Sequence, residues 1–258
     1  MINIGNLEEM LIALTNGKAG RIKQDISVGA SWRDLFRSSE DLLTASVFGR
    51  LSYLEGPMLW KILRRGLGAE LPDYKVVDLY NVEFWPTWPE GDDAAKTVEP
   101  DVFLQFNVGD PSIQIDMIVE AKIGMGLHQY ADQWRRQWKA YHELPSTTDS
   151  DATPYLIAIG GLGQHEASYM RSILKDLHNG GHEIKALAAN WPKLLEAVIA
   201  VGKETTSQRD ARILSDIVSA LALAGYRTIQ SFSGLTSHHR INQQSKAVLV
   251  DYNFQENL

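Results

Sequence analysis

Asp101, Glu120 and Lys122 are the residues of this chain whose types and spacing could do chemistry. Eighteen residues separate the two acids, and Glu120-Ala121-Lys122 lies in the apolar string of residues 113–123. Charge inside strand-like sequence is costly to take out of water. If residues 113–123 form a strand, side chains alternate between faces. Ile115, Met117, Val119 and Ala121 then make an apolar face, while Asp116, Ile118, Glu120 and Lys122 share the other. Residues 98–106 alternate likewise, with Val102, Leu104 and Phe106 against Asp101, Phe103 and Gln105. The turn-rich residues 107–112 suit an antiparallel hairpin, which would bring Asp101 beside Glu120 and Lys122. Carboxylates held that close repel unless something positive sits between them. A hard divalent cation, Mg²⁺ or Mn²⁺, resolves the conflict and leaves positions for phosphate oxygens. A neighbouring ammonium can orient or help deprotonate the attacking water and stabilise charge on phosphorus. The chemistry implied is metal-assisted phosphodiester hydrolysis.

Pro100-Asp101 followed by Glu120-Ala121-Lys122 resembles the signature of the PD-(D/E)XK nucleases, the restriction-endonuclease-like superfamily. The resemblance implies an α/β fold: a mixed sheet with an antiparallel meander, flanked by helices. The family runs from a helix carrying a glutamate to the meander, with the motif on its second and third strands. A helix and a strand parallel to the meander's edge follow. Residues 38–159 can be read in that order. It further implies Asp101 and Glu120 as metal ligands, the Ala121 carbonyl as another, and Lys122 as the group that manages the nucleophile.

Two helices must support such a site. Ser38-Ser39 offers an N-cap, and Leu43, Val47, Leu51 and Leu54 recur at helical spacing. Glu40, three residues before Leu43, begins the same inward stripe; by the resemblance it helps hold a metal through water or binds a second one. Its plain alternative is a solvated acid offsetting the helix dipole. Downstream, residues 127–141 read as a helix with an aromatic seam of Tyr130, Trp134, Trp138 and Tyr141, and a parallel stripe of Gln129, Gln133 and Gln137. Gln133 looks most like the glutamine that many family members place near the lysine; otherwise it is an ordinary surface amide. Arg135, Arg136 and Lys139 could contact phosphates or form a solvated basic face. Asp116 could join the site or approach water at the strand end, and Glu99 has the wrong parity to point inward unless Pro100 introduces a bulge.

Residues 1–37 are expected to hold an N-terminal helix, at residues 7–14, and an extension. Residues 38–205 are the nuclease-like core, and 206–258 supply a helix and a strand, around residues 246–252, completing the same domain. The first meander strand reads as residues 74–88, ending in a loop whose Trp85 and Trp88 could stack on bases or pack at the strand end. A strand at residues 155–159 ends in Gly160-Gly161-Leu162-Gly163, a turn lacking the residues of a phosphate-binding loop. Beyond it come a helix at 166–178, a strand at 184–187, and helices at 192–201 and 208–224.

At 258 residues and 44% hydrophobic, the chain can bury one full core. Zero cysteines exclude disulfides and thiolate metal sites. With no apolar run of transmembrane length and no signal-peptide pattern, a cytoplasmic location without membrane contact is expected. The net charge of −7 opposes a long nucleic-acid-binding stripe. A DNA-cleaving enzyme of this charge is expected to rely on a protein partner subunit for recruitment or gating, and a homo-oligomer is compatible with it. By analogy, small solitary members with this look belong to bacterial restriction, repair or phage-defence systems. The alternatives are a non-catalytic nucleic-acid-binding or scaffold subunit that retains the fold, and an enzyme of a different class in which the motif match is accidental.

Overall fold

The computed structural model describes residues 32–91, 93–124, 128–145, 152–163, 166–179 and 184–227, all within one compact unit, Met1–Arg227. The expected helix at residues 7–14 and strand at 246–252 lie outside the described residues. Three helices lead, α1 (Trp32–Ser38), α2 (Glu40–Leu51) and α3 (Gly56–Leu67). Five strands follow: β1 (Val77–Phe84), β2 (Trp88–Glu90), β3 (Asp93–Val98), β4 (Val102–Val108) and β5 (Ile113–Ala121). The rest alternates, through α4 (Ala131–Glu143), β6 (Thr153–Ile159), α5 (Glu166–Asn179), β7 (Ala186–Ala189), α6 (Trp191–Gly202) and α7 (Gln208–Leu223).

The fold is α/β, built on a five-stranded mixed sheet in the order β1-β4-β5-β6-β7. β1, β4 and β5 form an antiparallel meander, and β6 and β7 extend it in parallel. The period-two pattern of β4 and β5 sorts the two layers. Val102, Leu104, Phe106, Ile115, Met117 and Val119 face a core filled by α1, α2, α3, α6 and α7. Phe103, Ile118, Leu156 and Ala158 face a second core closed by α4 and α5. Because both faces are covered, β5 is buried from Ile115 onward, as a strand at the centre of a layered sheet must be.

Several boundaries differ from the sequence reading. The first meander strand is shorter than residues 74–88 and ends at Phe84, since Trp88–Glu90 leaves the main sheet to pair with Asp93–Val98 in a separate hairpin. Val98 therefore belongs to β3 and not to the motif strand, which starts at Val102. Trp88 packs in the α4-side core against Phe103, ring centroids 5.1 Å apart. α4 begins at Ala131, four residues later than expected, so Gln129 precedes the helix and Tyr130 is its N-cap residue. The aromatic seam consequently loses Tyr130, which is 57% exposed, and keeps Trp134, Trp138 and Tyr141.

Candidate active site

The sheet register brings the motif together. Val102 pairs with Val119 and Phe103 with Ile118, so one further step places Asp101 across from Glu120. Asp101 N donates to Val119 O at 3.1 Å, holding the residue against β5 just before β4 begins. Lys122 lies one residue past the end of β5, and its N donates to Ile159 O at 2.8 Å. Glu40 enters from the first turn of α2, which Ser39 caps by accepting from Leu42 N at 3.3 Å. The cap is Ser39 alone; the Ser38 hydroxyl donates backward to Asp34 O and Leu35 O at the end of α1.

Lys122 Nζ is the hub of this convergence. It donates to Glu40 Oε1 at 3.0 Å, to Glu120 Oε1, and to Ala121 O at 3.0 Å. The second Glu40 oxygen accepts from Ile123 N at 2.9 Å. Burial pulls the ammonium down, but the charges and hydrogen bonds of Glu120 and Glu40 outweigh it and hold Lys122 above its ordinary range. Asp101 Oδ2 accepts from Ala121 N at 2.7 Å. Burial, helped by the charge of Glu120, pushes the Asp101 carboxyl up to about 7, against the Ala121 hydrogen bond and Lys122.

A set of amides fixes Glu120. Gln133 Nε2 donates to its Oε1 at 2.7 Å and Gln137 Nε2 to its Oε2 at 2.8 Å, one helical turn apart on α4. Gln129, in the segment before the helix, donates to Glu120 O at 3.1 Å and Gly160 O at 3.2 Å while accepting from Trp134 Nε1 at 3.0 Å. Sequence reasoning selected Gln133 and treated Gln129 and Gln137 only as stripe neighbours. The i, i+4 spacing of Gln133 and Gln137, facing a strand acid, was the signal that could have found the second clamp. Gln129 could not be placed correctly once α4 was started too early.

The Gly160–Gly161 turn supports Lys122 from below. Both residues have positive φ, 72° and 66°. A Cβ on Gly160 would stand 2.2 Å from Lys122 O, and one on Gly161 would stand 2.8 Å from Lys122 Cβ. The glycines are therefore required by close approach as well as by conformation. Trp191, at the start of α6, completes the support by donating from Nε1 to Lys122 O at 2.9 Å.

Asp116 does not join this cluster and does not approach water. It is fully buried and accepts from Tyr141 OH at 2.8 Å, Gln105 Nε2 at 3.1 Å and Gln114 Nε2 at 3.2 Å. Burial raises its carboxyl above the ordinary value despite those three donors. Glu99 is exposed at the rim of a cleft of about 460 Å³ that also takes in Gln133, Arg136 and Gln137. Arg136 is engaged by Glu90 of the β2–β3 hairpin, and Arg135 pairs with Asp132 at 3.0 Å.

Among the described residues, no set of three or more His, Cys, Asp or Glu side chains is gathered for a metal. The ammonium of Lys122 separates Glu40 from Glu120, and Asp101 is drawn onto the Ala121 amide. Two carboxylates and a main-chain carbonyl are what the site offers. No helix among the described residues is long and apolar enough to cross a membrane.

The chain is similar to the uncharacterized protein PM0110 of Pasteurella multocida (strain Pm70). The two are 28% identical over 241 residues, 88% of this chain and 85% of that protein. No family model matches the chain, and no solved structure matches it.

Proposed function

We propose that this protein is a Mg²⁺-dependent nuclease of the PD-(D/E)XK type that hydrolyses DNA phosphodiester bonds, serving as an effector subunit of a bacterial restriction or phage-defence complex. One observation carries the reading. Glu40 and Glu120, from different elements, hold the same lysine, and Asp101 stands across the strands from Glu120. That charge arrangement is poor economy for a structural core, where one ion pair surrounded by further carboxylate leaves charge uncompensated.

The donor set fits a divalent cation. Asp101, Glu120 and the Ala121 carbonyl are hard oxygen ligands, and a bound cation would oppose the upward push that burial and the charge of Glu120 exert on the Asp101 carboxyl. These three groups would hold Mg²⁺ or Mn²⁺, which would supply Lewis-acid stabilisation of phosphate charge. Lys122 remains an ammonium whose three N–H groups are engaged by Glu40, Glu120 and Ala121 O; once one of those bonds is exchanged, the freed N–H orients the attacking water and meets negative charge developing on a phosphate oxygen. Glu40, through Lys122 Nζ and Ile123 N, keeps that donor in position. Gln133 and Gln137 hold both oxygens of Glu120, fixing the plane of the carboxylate. In the overall reaction water oxygen bonds to phosphorus, one ester P–O bond breaks, and the departing sugar oxygen leaves protonated. The products are a phosphomonoester and an alcohol, with no redox change.

Purified protein, with and without its genomic-neighbour proteins, should cleave plasmid or single-stranded DNA in Mg²⁺ or Mn²⁺ and lose that activity in chelator. Ca²⁺ should allow binding with poor turnover. Cleavage that survives exhaustive chelation would overturn the mechanism. Binding of DNA with no cleavage in any metal would favour the non-catalytic subunit.

A further inference from the structure

A second cleft, of about 330 Å³, opens beside Lys122 and shares no lining residue with the cleft along α4. Its walls are main chain and rings. Gly160, Gly161 and Gly163 contribute backbone with no side chain in the way, and Tyr226 contributes accessible apolar surface, with the buried Leu162 and Trp191 behind it. Tyr226 is brought there by the end of α7. Gly225, at φ 99°, reverses the chain, and Tyr226 N donates to Leu221 O at 2.9 Å. Its ring then stacks on Trp191, centroids 6.1 Å apart and planes 30° from parallel. Trp191 is buried and spends its N–H on Lys122 O, whereas Tyr226 is half-buried.

The charge of this cleft differs from that of its neighbour. Lys122 is the sole ionisable acid or base among the residues lining it apart from the Tyr226 phenol, whereas the α4 cleft carries Glu99 and Asp132 together with Arg136, which Glu90 engages. A flat ring laid against Tyr226, which itself covers the buried Trp191, would be joined to a negative group next to Lys122, where that group would compete with Glu40 and Glu120 for the ammonium. That combination, an aromatic platform with a cation at one edge, is the chemistry that receives a nucleotide through base stacking. A base in intact duplex has both faces covered by its neighbours and cannot enter such a cleft without leaving the stack.

We infer that the cleft between the Gly160–Gly163 turn and Tyr226 receives an unpaired nucleobase next to the phosphate held at Lys122, so that the substrate is single-stranded or locally opened DNA. The inference rests on the nuclease reading for its phosphate, but the binding it requires can be measured without turnover.

The test uses the full chain in Ca²⁺ and fluorescence anisotropy with a fluorescein-labelled single strand, its blunt duplex, and a series of the single strand carrying one abasic nucleotide at successive positions. The single strand should bind about ten-fold tighter than the duplex, and an abasic nucleotide at one position should remove about ten-fold. Tyr226→Ala should lose a similar factor, and Tyr226→Phe should retain wild-type binding because the ring is kept. Equal binding of strand and duplex, or an abasic series with no sensitive position, would overturn the inference. If Tyr226→Ala does not fold, the abasic series on the wild-type chain decides alone. Cleavage of the same strands in Mg²⁺ is scored separately. A base-dependent preference without cleavage keeps the cleft and removes the nuclease reading, whereas cleavage with no such preference does the reverse.

Discussion

Lys122 is held by two carboxylates at once, and this makes its removal a test of both chemistry and folding. Lys122→Met should lower cleavage by about 10²–10³-fold, the usual effect of deleting a preorganised donor to a developing oxyanion. It should also destabilise the protein by about 3 kcal/mol at neutral pH, because the buried Glu120 and the half-buried Glu40 both lose their cation. Denaturant titration and single-turnover cleavage read the two effects. A variant as stable and as active as wild type would remove Lys122 from the site. Asp116 gives a test by pH. Its folded-state pKa is raised above the ordinary 3.8 by burial, so the native state holds that proton more tightly than the unfolded chain. Stability contributed by the protonated form is therefore lost as pH rises from about 3.8 through the raised value, and the full cost of burying the anion applies above it. Tyr80, Tyr141, Gln105 and Gln114 are the groups facing it. Asp116→Asn should flatten this descent in unfolding free energy, and an unchanged pH profile would show that Asp116 does not carry it.

At the scale of elements, α4 serves as the bar that positions Glu120. Gln137 is buried and donates to the Glu120 oxygen that Gln133 does not reach. Gln137→Leu should cost ~10–100-fold in activity with little change in melting temperature, the pattern expected if Glu120 is the metal ligand proposed and the group behind it is lost. Gly160→Ala should act in the opposite sense, on stability. Its Cβ has no room above Lys122 O, and its φ of 72° is strained for alanine. A loss of about 2 kcal/mol is expected, read as a fall of roughly 4–8 °C in Tm. These elements also show how far the sequence could be read. The alternation in residues 113–121 fixed which acids share a face, since period two leaves no freedom once the strand is recognised. The leucine stripe after Glu40 located α2 for the same kind of reason. α4 was started too early because Leu127, Tyr130 and Trp134 continue the helical spacing of its true apolar face, although Tyr130 is exposed. By local chemistry the β2–β3 hairpin reads as loop, because Pro86, Pro89 and Gly91 are turn residues. Only the tertiary contacts of Trp88 and Val98 with the α4-side core make it pair. α3 was not anticipated, and Gly56 at its start is explained only by the approach of Val77 O, 2.2 Å from where a Cβ would stand.

For the molecule as a whole, charge is the governing quantity. The chain carries −7, and several of its basic groups are already spent: Lys61 and Arg65 on Glu204, Arg136 on Glu90, and Lys75 on Asp73. DNA binding by the isolated protein should therefore show a shallow dependence on salt, because few phosphates can be neutralised and few counterions released. Addition of a basic partner subunit should steepen that slope; a steep slope for the isolated chain would mean that a basic surface lies elsewhere. The support of Lys122 also bears on the order in which the protein is made. Asp101, Glu120, Gln133 and Gln137 all leave the ribosome before β6 does, yet the main chain of Lys122 is tied down by Ile159 and Trp191. A nascent or prematurely terminated chain ending before residue 191 therefore carries every acid and the lysine without the Trp191 part of the brace that sets Lys122. Since domains fold as units while synthesis proceeds from the N-terminus, the proposed chemistry becomes possible only once most of the chain has been translated.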